Sequence, residues 1–238
     1  MNDQKIFERY ELKFLLTEAQ CKELLRGASE LLLPDRYFES TICNLYYDTP
    51  DATLIRASLE HPVYKEKLRL RSYGVPGKDS KVFLELKKKY EDLVYKRRET
   101  FLLSSAEDFV RRPEPFSQIT REIEYVIGFY RELQPAMAIF YERHSYVGAS
   151  DPSLRITFDR DILYRNYDLD LSRGIYGERA LPTGTVLMEV KCAGAMPLWL
   201  CRSLSELGIK KTSFSKYGKA YTDLTQQTGG YDDEGLVS

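Results

Sequence analysis

The chain has 238 residues, and its 35 lysines and arginines against 36 aspartates and glutamates give a formal net charge of −1. This balance excludes a protein that binds nucleic acid or an anionic membrane through its overall charge. Hydrophobic residues make up 43% of the chain and aromatic residues 13%, which is enough for the core of one large domain or of two small ones.

Cysteine and histidine content limits the possible chemistry. The four cysteines, Cys21, Cys43, Cys192 and Cys201, form no CxxC pair, so we expect buried free thiols in a reducing cytosol rather than a zinc site. The chain contains 2 histidines, which give little support to a histidine metal site or a Ser-His-Asp triad. No signal peptide and no apolar run near the roughly 20 residues that cross a bilayer is visible, so the sequence predicts a cytoplasmic protein without a membrane span.

Apolar periodicity predicts strands and helices along the whole chain. Thr17, with Gln20 three residues later, predicts a capping box at the start of a helix that ends before Pro34. Eight strands are predicted, at residues 6–16, 41–47, 65–73, 81–89, 94–98, 136–147, 154–162 and 186–192. Further helices are predicted at residues 52–57, 104–112, 117–133, 198–207 and 215–224. We expect a polar loop at residues 166–177, and a single domain, residues 1–225, followed by a mobile tail, residues 226–238.

Basic residues recur at every second position in three consecutive segments, residues 65–74, 81–89 and 94–98. Successive side chains of a strand point to opposite faces, so each segment has a charged face and a mostly apolar face. Short connections between the segments predict antiparallel neighbours. The side chains predicted to share the charged face are Lys67, Arg69, Arg71, Glu85, Lys87, Lys96 and Arg98. Other strands repeat the pattern with Arg9, Glu11, Lys13, Arg143, Arg155, Asp159, Glu189 and Lys191.

This pattern permits two closures of an α+β fold around an antiparallel sheet or barrel. The apolar faces pack inward and leave the charges in solvent, or a barrel closes with the charges inside and amphipathic helices cover its apolar outside. Periodicity leaves both closures open. A basic interior needs a polyanion or metal-bridged carboxylates to be stable, and Glu11, Glu85 and Glu189 are suitably scattered to bind a hard divalent cation.

The segments, taken in order, resemble a known family. RYELK (residues 9–13) resembles the ExExK signature of the triphosphate tunnel metalloenzymes, with Arg9 in place of the first glutamate. The fuller set resembles the polyphosphate polymerase (VTC) domain of the vacuolar transporter chaperone family, and the resemblance runs from Ile6 to about Leu224. Its further motifs are NLYYDT (44–49), KLRLRSYG (67–74), FLELKKK (83–89), VYKRR (94–98), FYERHSY (140–146), LRITFD (154–159), LMEVK (187–191) and FSKYGKA (214–220).

The resemblance implies an eight-stranded antiparallel β-barrel tunnel with a charged interior, flanked by amphipathic helices. It also implies a metal-dependent phosphotransferase that takes the γ-phosphate of ATP and adds it to a growing inorganic polyphosphate chain. The implied cofactor is Mn²⁺ or Mg²⁺, and the implied partners are ATP and polyphosphate. A separate membrane-protein partner, which would pass the product across a bilayer, stays open.

The resemblance, together with the charged faces, assigns residues to roles. Catalytic roles are predicted for Lys13, Arg69, Arg71, Lys87, Lys96, Arg143 and Arg155. Substrate contacts are predicted for Arg9, Lys67, Arg98, Lys191, Lys216 and Lys219. The metal is predicted at Glu189, with Glu11 and Glu85 as further carboxylate ligands.

Two departures from the family pattern bear on these assignments. Arg9 replaces an acid that other tunnel enzymes use for metal, which argues against the triphosphatase and cyclase branches. Ser213 stands where the vacuolar polymerases carry a further lysine, and Lys211 or Lys219 are the candidates to replace it. Two alternatives remain: a tunnel triphosphatase, in which Glu11 or Glu85 positions a water, and a non-catalytic module that binds polyphosphate or nucleotide.

Overall fold

The computed structural model describes residues 10–60, 62–91 and 93–229. Arg9, the predicted strand residues before it and residues 230–238 of the predicted tail lie outside the described residues. The strands are β1 (Tyr10–Thr17), β2 (Leu32–Asp48), β3 (Tyr64–Tyr73), β4 (Lys81–Tyr90), β5 (Leu93–Leu102), β6 (Gln134–Gly148), β7 (Arg155–Arg165), β8 (Glu178–Arg179), β9 (Thr185–Cys192) and β10 (Lys211–Thr212). The helices are α1 (Glu18–Gly27), α2 (Thr53–Leu59), α3 (Leu103–Arg111), α4 (Gln118–Tyr130), α5 (Leu198–Glu206) and α6 (Lys216–Gly229).

The described strands form a ten-stranded sheet in the order β10-β1-β9-β7-β6-β2-β3-β4-β5, with β8 paired to β7. The pairs β1–β9, β2–β3, β3–β4, β4–β5 and β7–β9 are antiparallel, which confirms the α+β class with a large antiparallel sheet. Eight strands were predicted, and the two additional ones, β8 and β10, have 2 residues each. The strand order has two ends, so the described sheet is not closed and the predicted barrel is not confirmed.

The first helix begins as predicted but ends earlier. The side chain of Thr17 accepts a hydrogen bond from the Gln20 amide, and the Gln20 side chain caps the Thr17 amide in return. The helix ends at Gly27, where Pro34 had predicted a later end. The amide of Leu32 bonds to the Ala28 carbonyl at 2.9 Å in a turn that keeps both side chains buried, so apolar spacing continues past the helix. At the other end of the chain, α6 runs to Gly229 and takes in the first residues of the predicted tail.

The described chain forms two compact units, each with its own core. Among the described residues, the first comprises 10–41, 141–161 and 181–214, and the second comprises 42–60, 62–91, 93–140, 162–180 and 215–229. In the first unit, apolar side chains of β1, β7 and β9 pack against α1 and α5. Leu16, Phe158, Met188, Leu24 and Leu200 are buried in this core.

In the second unit, α3 and α4 pack against the apolar face of β3, β4 and β5. Leu68, Leu84 and Leu86 are fully buried there with Phe109 of α3 and Ile123 of α4. Each fully buried leucine contributes about 1.5–3 kcal/mol to folding. Because side chains alternate along a strand, the basic residues with the parity of Arg69, Lys87 and Arg98 lie on the face opposite the helices. The predicted role of the helices, covering an apolar sheet face, is therefore seen in this unit.

Within the described residues, no helix has both the length and the apolar character needed to cross a membrane.

Candidate functional site

A buried carboxylate in the second unit gathers four cations on the charged face of β3, β4 and β5. Glu85 is 1% exposed. Its Oε2 accepts a hydrogen bond from Arg69 Nε at 2.9 Å and lies 3.9 Å from Arg71 Nε. Its Oε1 accepts a hydrogen bond from Arg98 Nε at 2.7 Å and lies 2.8 Å from Lys96 Nζ. We call these five residues the Glu85 cluster.

Strand register explains why these residues meet. Glu85 of β4 lies directly opposite Arg69 of β3 and Arg98 of β5. Four cations surround one carboxylate, so the cluster carries a surplus of positive charge. The side chains of Arg69, Arg98 and Lys96 keep 19%, 34% and 42% of their surface exposed, so an anion in solvent can reach them. Glu85 and Arg71 are buried, which is inconsistent with the arrangement in which the whole charged face of the sheet lies in solvent.

The cluster shifts the protonation of its own members. Burial disfavours ionised Glu85, but Arg69, Arg71 and Lys96 outweigh this and hold the pKa of Glu85 well below its usual range. Partial burial beside Arg98 and Arg69 lowers the pKa of Lys96 to about 8, although Glu85 opposes the shift. Glu85 therefore stays ionised at neutral pH, whereas Lys96 loses its proton in mildly alkaline solution.

Two residues of β2 orient the arginines of this cluster, and the sequence analysis gave neither a functional role. Asn44 Oδ1 accepts a hydrogen bond from Arg71 Nε at 2.9 Å, and the Tyr46 hydroxyl accepts one from Arg69 NH1 at 3.0 Å. Register places Asn44 opposite Arg71 and Tyr46 opposite Arg69. The signal was present in the sequence, since Asn44 and Tyr46 share one parity of a predicted strand.

Other predicted phosphate-binding lysines lie in the same unit. Lys87 is half-buried, and register places it opposite both Lys67 and Lys96. Lys67 Nζ donates to Ser215 Oγ at 3.1 Å, just before α6. Lys216 is the first residue of α6, and Lys219 forms an ion pair with Asp223 one turn later. The register thus brings Lys67 and Lys87 beside the Glu85 cluster.

A second cluster, in the first unit, has balanced charge. Lys13 Nζ lies 3.8 Å from Glu189 Oε1 and 3.5 Å from Glu11 Oε1, and it donates to the Phe214 carbonyl at 2.7 Å. Lys191 Nζ lies 3.8 Å from Glu189 Oε2. In the β1–β9 register, Lys13 lies opposite Glu189 and Glu11 lies opposite Lys191. We call this the Glu189 cluster, with the members Glu11, Lys13, Arg143, Asp159, Glu189 and Lys191.

Arg143 joins this cluster through an acid that the sequence analysis assigned only to the charged face. Its Nε and NH2 donate to the two oxygens of Asp159 at 2.6 and 2.7 Å, and NH2 lies 3.7 Å from Glu189 Oε2. Asp159 is fully buried, so this bidentate pair fixes the guanidinium. Arg155, also predicted as catalytic, lies opposite Lys191 and is ion-paired with Asp35.

The divalent metal that the sequence resemblance implies can be tested against these carboxylates. Within the described part of the chain, no group of three His, Cys, Asp or Glu side chains could hold a metal by itself. Glu11 and Glu189 lie within 3.5 and 3.8 Å of one nitrogen, that of Lys13, so their oxygens converge. Mg²⁺ is often held by one or two carboxylates with phosphate oxygens completing its shell, and this pair fits such a site. Glu85 has cations around both its oxygens, which favours a counter-ion role instead.

Comparison with known protein families shows which family this chain belongs to. The model of the VTC domain family matches residues 8–225, which include every member of both clusters. The chain belongs to the VTC domain family. The family resemblance deduced from the ordered sequence motifs is therefore confirmed. A search of curated protein sequences returned no match.

Solved structures show the same fold at low sequence identity. A candidate adenylate cyclase from Bacillus halodurans is 13% identical, with a TM-score of 0.53, and the match covers 88% of this chain and 94% of that chain. A candidate adenylyl cyclase from Hippeastrum, described as having a dominant triphosphatase activity, is 18% identical, with a TM-score of 0.51 and coverage of 90% of this chain and 95% of that one. At these identities the likeness establishes the fold alone.

Proposed function

We propose that this VTC domain protein is a metal-dependent ATP–polyphosphate phosphotransferase, which moves the γ-phosphate of ATP onto a growing inorganic polyphosphate chain. The Glu85 cluster carries the proposal. Its four cations face one carboxylate, and three of them remain accessible to solvent. This surplus of positive charge suits a chain of phosphates, and membership of the VTC family supports the choice of polyphosphate.

The chemistry requires charge neutralisation and positioning more than covalent participation by the protein. Arg69 and Arg98 offer paired donors of fixed geometry, and Lys96 offers a mobile point charge. The attacking group is a phosphate oxygen that is already ionised near neutral pH, so no dedicated base is required. This agrees with the composition of the two clusters, which contain arginine, lysine and carboxylates but no histidine among their defined members.

The proposal also includes the roles predicted from the sequence for the other site residues. In the second unit, Arg71 and Lys87 would act with Arg69 and Lys96 on the reacting phosphates. The catalytic roles of Lys13, Arg143 and Arg155, which lie in the first unit, stay predictions. Lys67, Lys216 and Lys219 would hold more distant phosphates, as would Arg98, and the predicted substrate contact of Lys191 in the first unit stays a prediction. Glu11 and Glu189 of the first unit would hold Mn²⁺ or Mg²⁺, and that metal would supply Lewis-acid polarisation of a phosphate oxygen. The closed eight-stranded tunnel also remains a prediction.

The decisive experiment incubates the purified protein with ATP and Mn²⁺ or Mg²⁺ and resolves the products on a gel. A ladder of phosphate chains is the expected result. Arg69→Ala should abolish the ladder, whereas Arg97→Ala should keep it, because Arg97 pairs with Glu122 on the helix-covered face. Absence of turnover with every metal, combined with salt-dependent polyphosphate binding, would contradict an enzyme and indicate a binding module.

Hydrolysis of triphosphate is the second candidate. The triphosphatase activity described for the Hippeastrum protein favours it, and so does the position of Glu11, whose carboxylate lies beside Lys13 and could hold a water. The same gel separates the two reactions, since a hydrolase releases orthophosphate from ATP or inorganic triphosphate and makes no ladder.

A further inference from the structure

An aromatic pair lies at one end of the charged face that holds the Glu85 cluster. Tyr73 ends β3 two residues after Arg71, and Phe83 lies on β4 two residues before Glu85. Both therefore point to the same face as the cluster. Their ring centroids are 5.8 Å apart with an interplanar angle of 80°, an edge-to-face contact. Tyr73 is 52% exposed although it is a large aromatic side chain.

Arg98 connects this pair to the cluster. Its guanidinium carbon lies 4.5 Å from the centroid of the Phe83 ring, a cation–π contact. The same guanidinium donates to Glu85, and it interacts electrostatically with the Tyr73 side chain. Arg98 therefore contacts both the aromatic pair and the carboxylate of the Glu85 cluster, so the aromatic surface lies directly beside the phosphate-attracting charge.

Three other tyrosines of this unit, Tyr46, Tyr47 and Tyr90, do not offer an equivalent surface. Tyr46 and Tyr47 are 6% and 3% exposed, so a ligand cannot reach their rings. Tyr90 is 50% exposed, but it lies at the opposite end of β4 and shares its parity with the buried Leu86. Its side chain therefore points away from the charged face.

We propose that Tyr73 and Phe83 form a stacking platform for the base of a nucleoside triphosphate, with its phosphates extending along Arg98 towards Arg69 and Lys96. Tyr73 and Arg69 are four residues apart on one strand, which corresponds to about 13 Å. The ribose and three phosphates of a nucleotide can cover that span. The base then stays at the end of the face while the terminal phosphate reaches the cations.

This inference rests on the proposed function and narrows its substrate. Stacking on an aromatic ring uses the π-face that every base has, so the platform selects nucleoside triphosphates over inorganic triphosphate with little preference among bases. Inorganic triphosphate has no base and therefore binds through the cations alone. Two ligands that share the phosphates and differ in the base therefore separate the two parts of the site.

The test is calorimetric titration of the full chain with ATP and, separately, with inorganic triphosphate, without added metal so that turnover is suppressed. Tyr73→Leu should weaken ATP binding by on the order of tenfold and leave triphosphate binding within about twofold. Tyr73→Phe keeps the ring and loses the hydroxyl, so it should retain ATP affinity. Tyr90→Leu, the matched control from the other face, should bind both ligands as the wild type does.

The outcomes distinguish this inference from the function it rests on. If Tyr73→Leu weakens the binding of both ligands equally, or of neither, the stacking platform is overturned. The proposed function still stands in that case, provided that the wild-type protein binds both ligands. A wild-type protein that binds neither ligand would overturn both. Loss of ATP affinity in Tyr73→Phe would assign the effect to the hydroxyl and its contact with Arg98, which also contradicts stacking.

Discussion

Replacing Glu85 by glutamine removes the carboxylate that holds Arg69, Arg98 and Lys96 together. Removing one partner of a buried ion pair costs about 3–5 kcal/mol. Arg98 and Lys96 are 34% and 42% exposed, so water screens part of their repulsion. We therefore expect Glu85→Gln to lower the free energy of unfolding by about 2–3 kcal/mol at neutral pH. Glutamine preserves the size of the side chain, so the loss of stability measures the effect of removing the charge rather than a change in packing.

Inorganic triphosphate should restore much of that loss, because it supplies negative charge to the same cations. Urea unfolding followed by circular dichroism, with and without triphosphate, measures both effects. The matched control is Glu122→Gln, whose carboxylate pairs with Arg97 at 3.0 Å and is partly exposed, so its change should stay below about 1 kcal/mol. A loss no larger than the control's, or equal stabilisation of wild type and Glu85→Gln by triphosphate, would refute the reasoning.

Three further predictions concern pH, metal and a structural arginine. Because the pKa of Lys96 falls from 10.5 to about 8 on folding, the unfolded chain binds more protons between these values. This group therefore makes the unliganded fold more stable as pH rises through that window. Over the same window, calorimetry should show the affinity for triphosphate falling. A triphosphate affinity that stays constant from pH 7 to 10 would contradict the role of Lys96. Glu189→Gln should retain metal-free triphosphate binding but lose the response to Mn²⁺ in titrations, and an unchanged response would place the metal elsewhere. Arg165→Met should lower the free energy of unfolding by about 3 kcal/mol or more, since the fully buried Arg165 donates to four backbone carbonyls of one loop; a loss below about 1 kcal/mol in urea unfolding would be inconsistent with that role.

The face occupied by each charged residue was predictable from the sequence. Alternation in β3, β4 and β5 assigns Arg69, Glu85 and Arg98 to one side and the buried leucines to the other, because a strand's side-chain period is two. The helical spacing of α3 and α4 predicts what covers the apolar side. Family membership followed from nine ordered motifs, none of which is specific alone.

The neighbours of each residue were not predictable in the same way. Period-two alternation says which face a side chain takes but not which residue lies opposite, since register depends on turn geometry. The convergence of Arg69 and Arg98 on Glu85 therefore appears only in the structure, as do the contacts of Asn44 and Asp159. The end of α1 was missed because Ala28 and Leu32 stay buried through a turn that ends the helix.

The most direct test of the central claim is a crystal structure of the protein with inorganic triphosphate. We predict phosphate oxygens at hydrogen-bond distance, about 2.7–3.2 Å, from the side chains of Arg69, Lys96 and Arg98. Triphosphate bound away from these side chains, with all three still directed only at Glu85, would contradict the assignment of this cluster to phosphate binding.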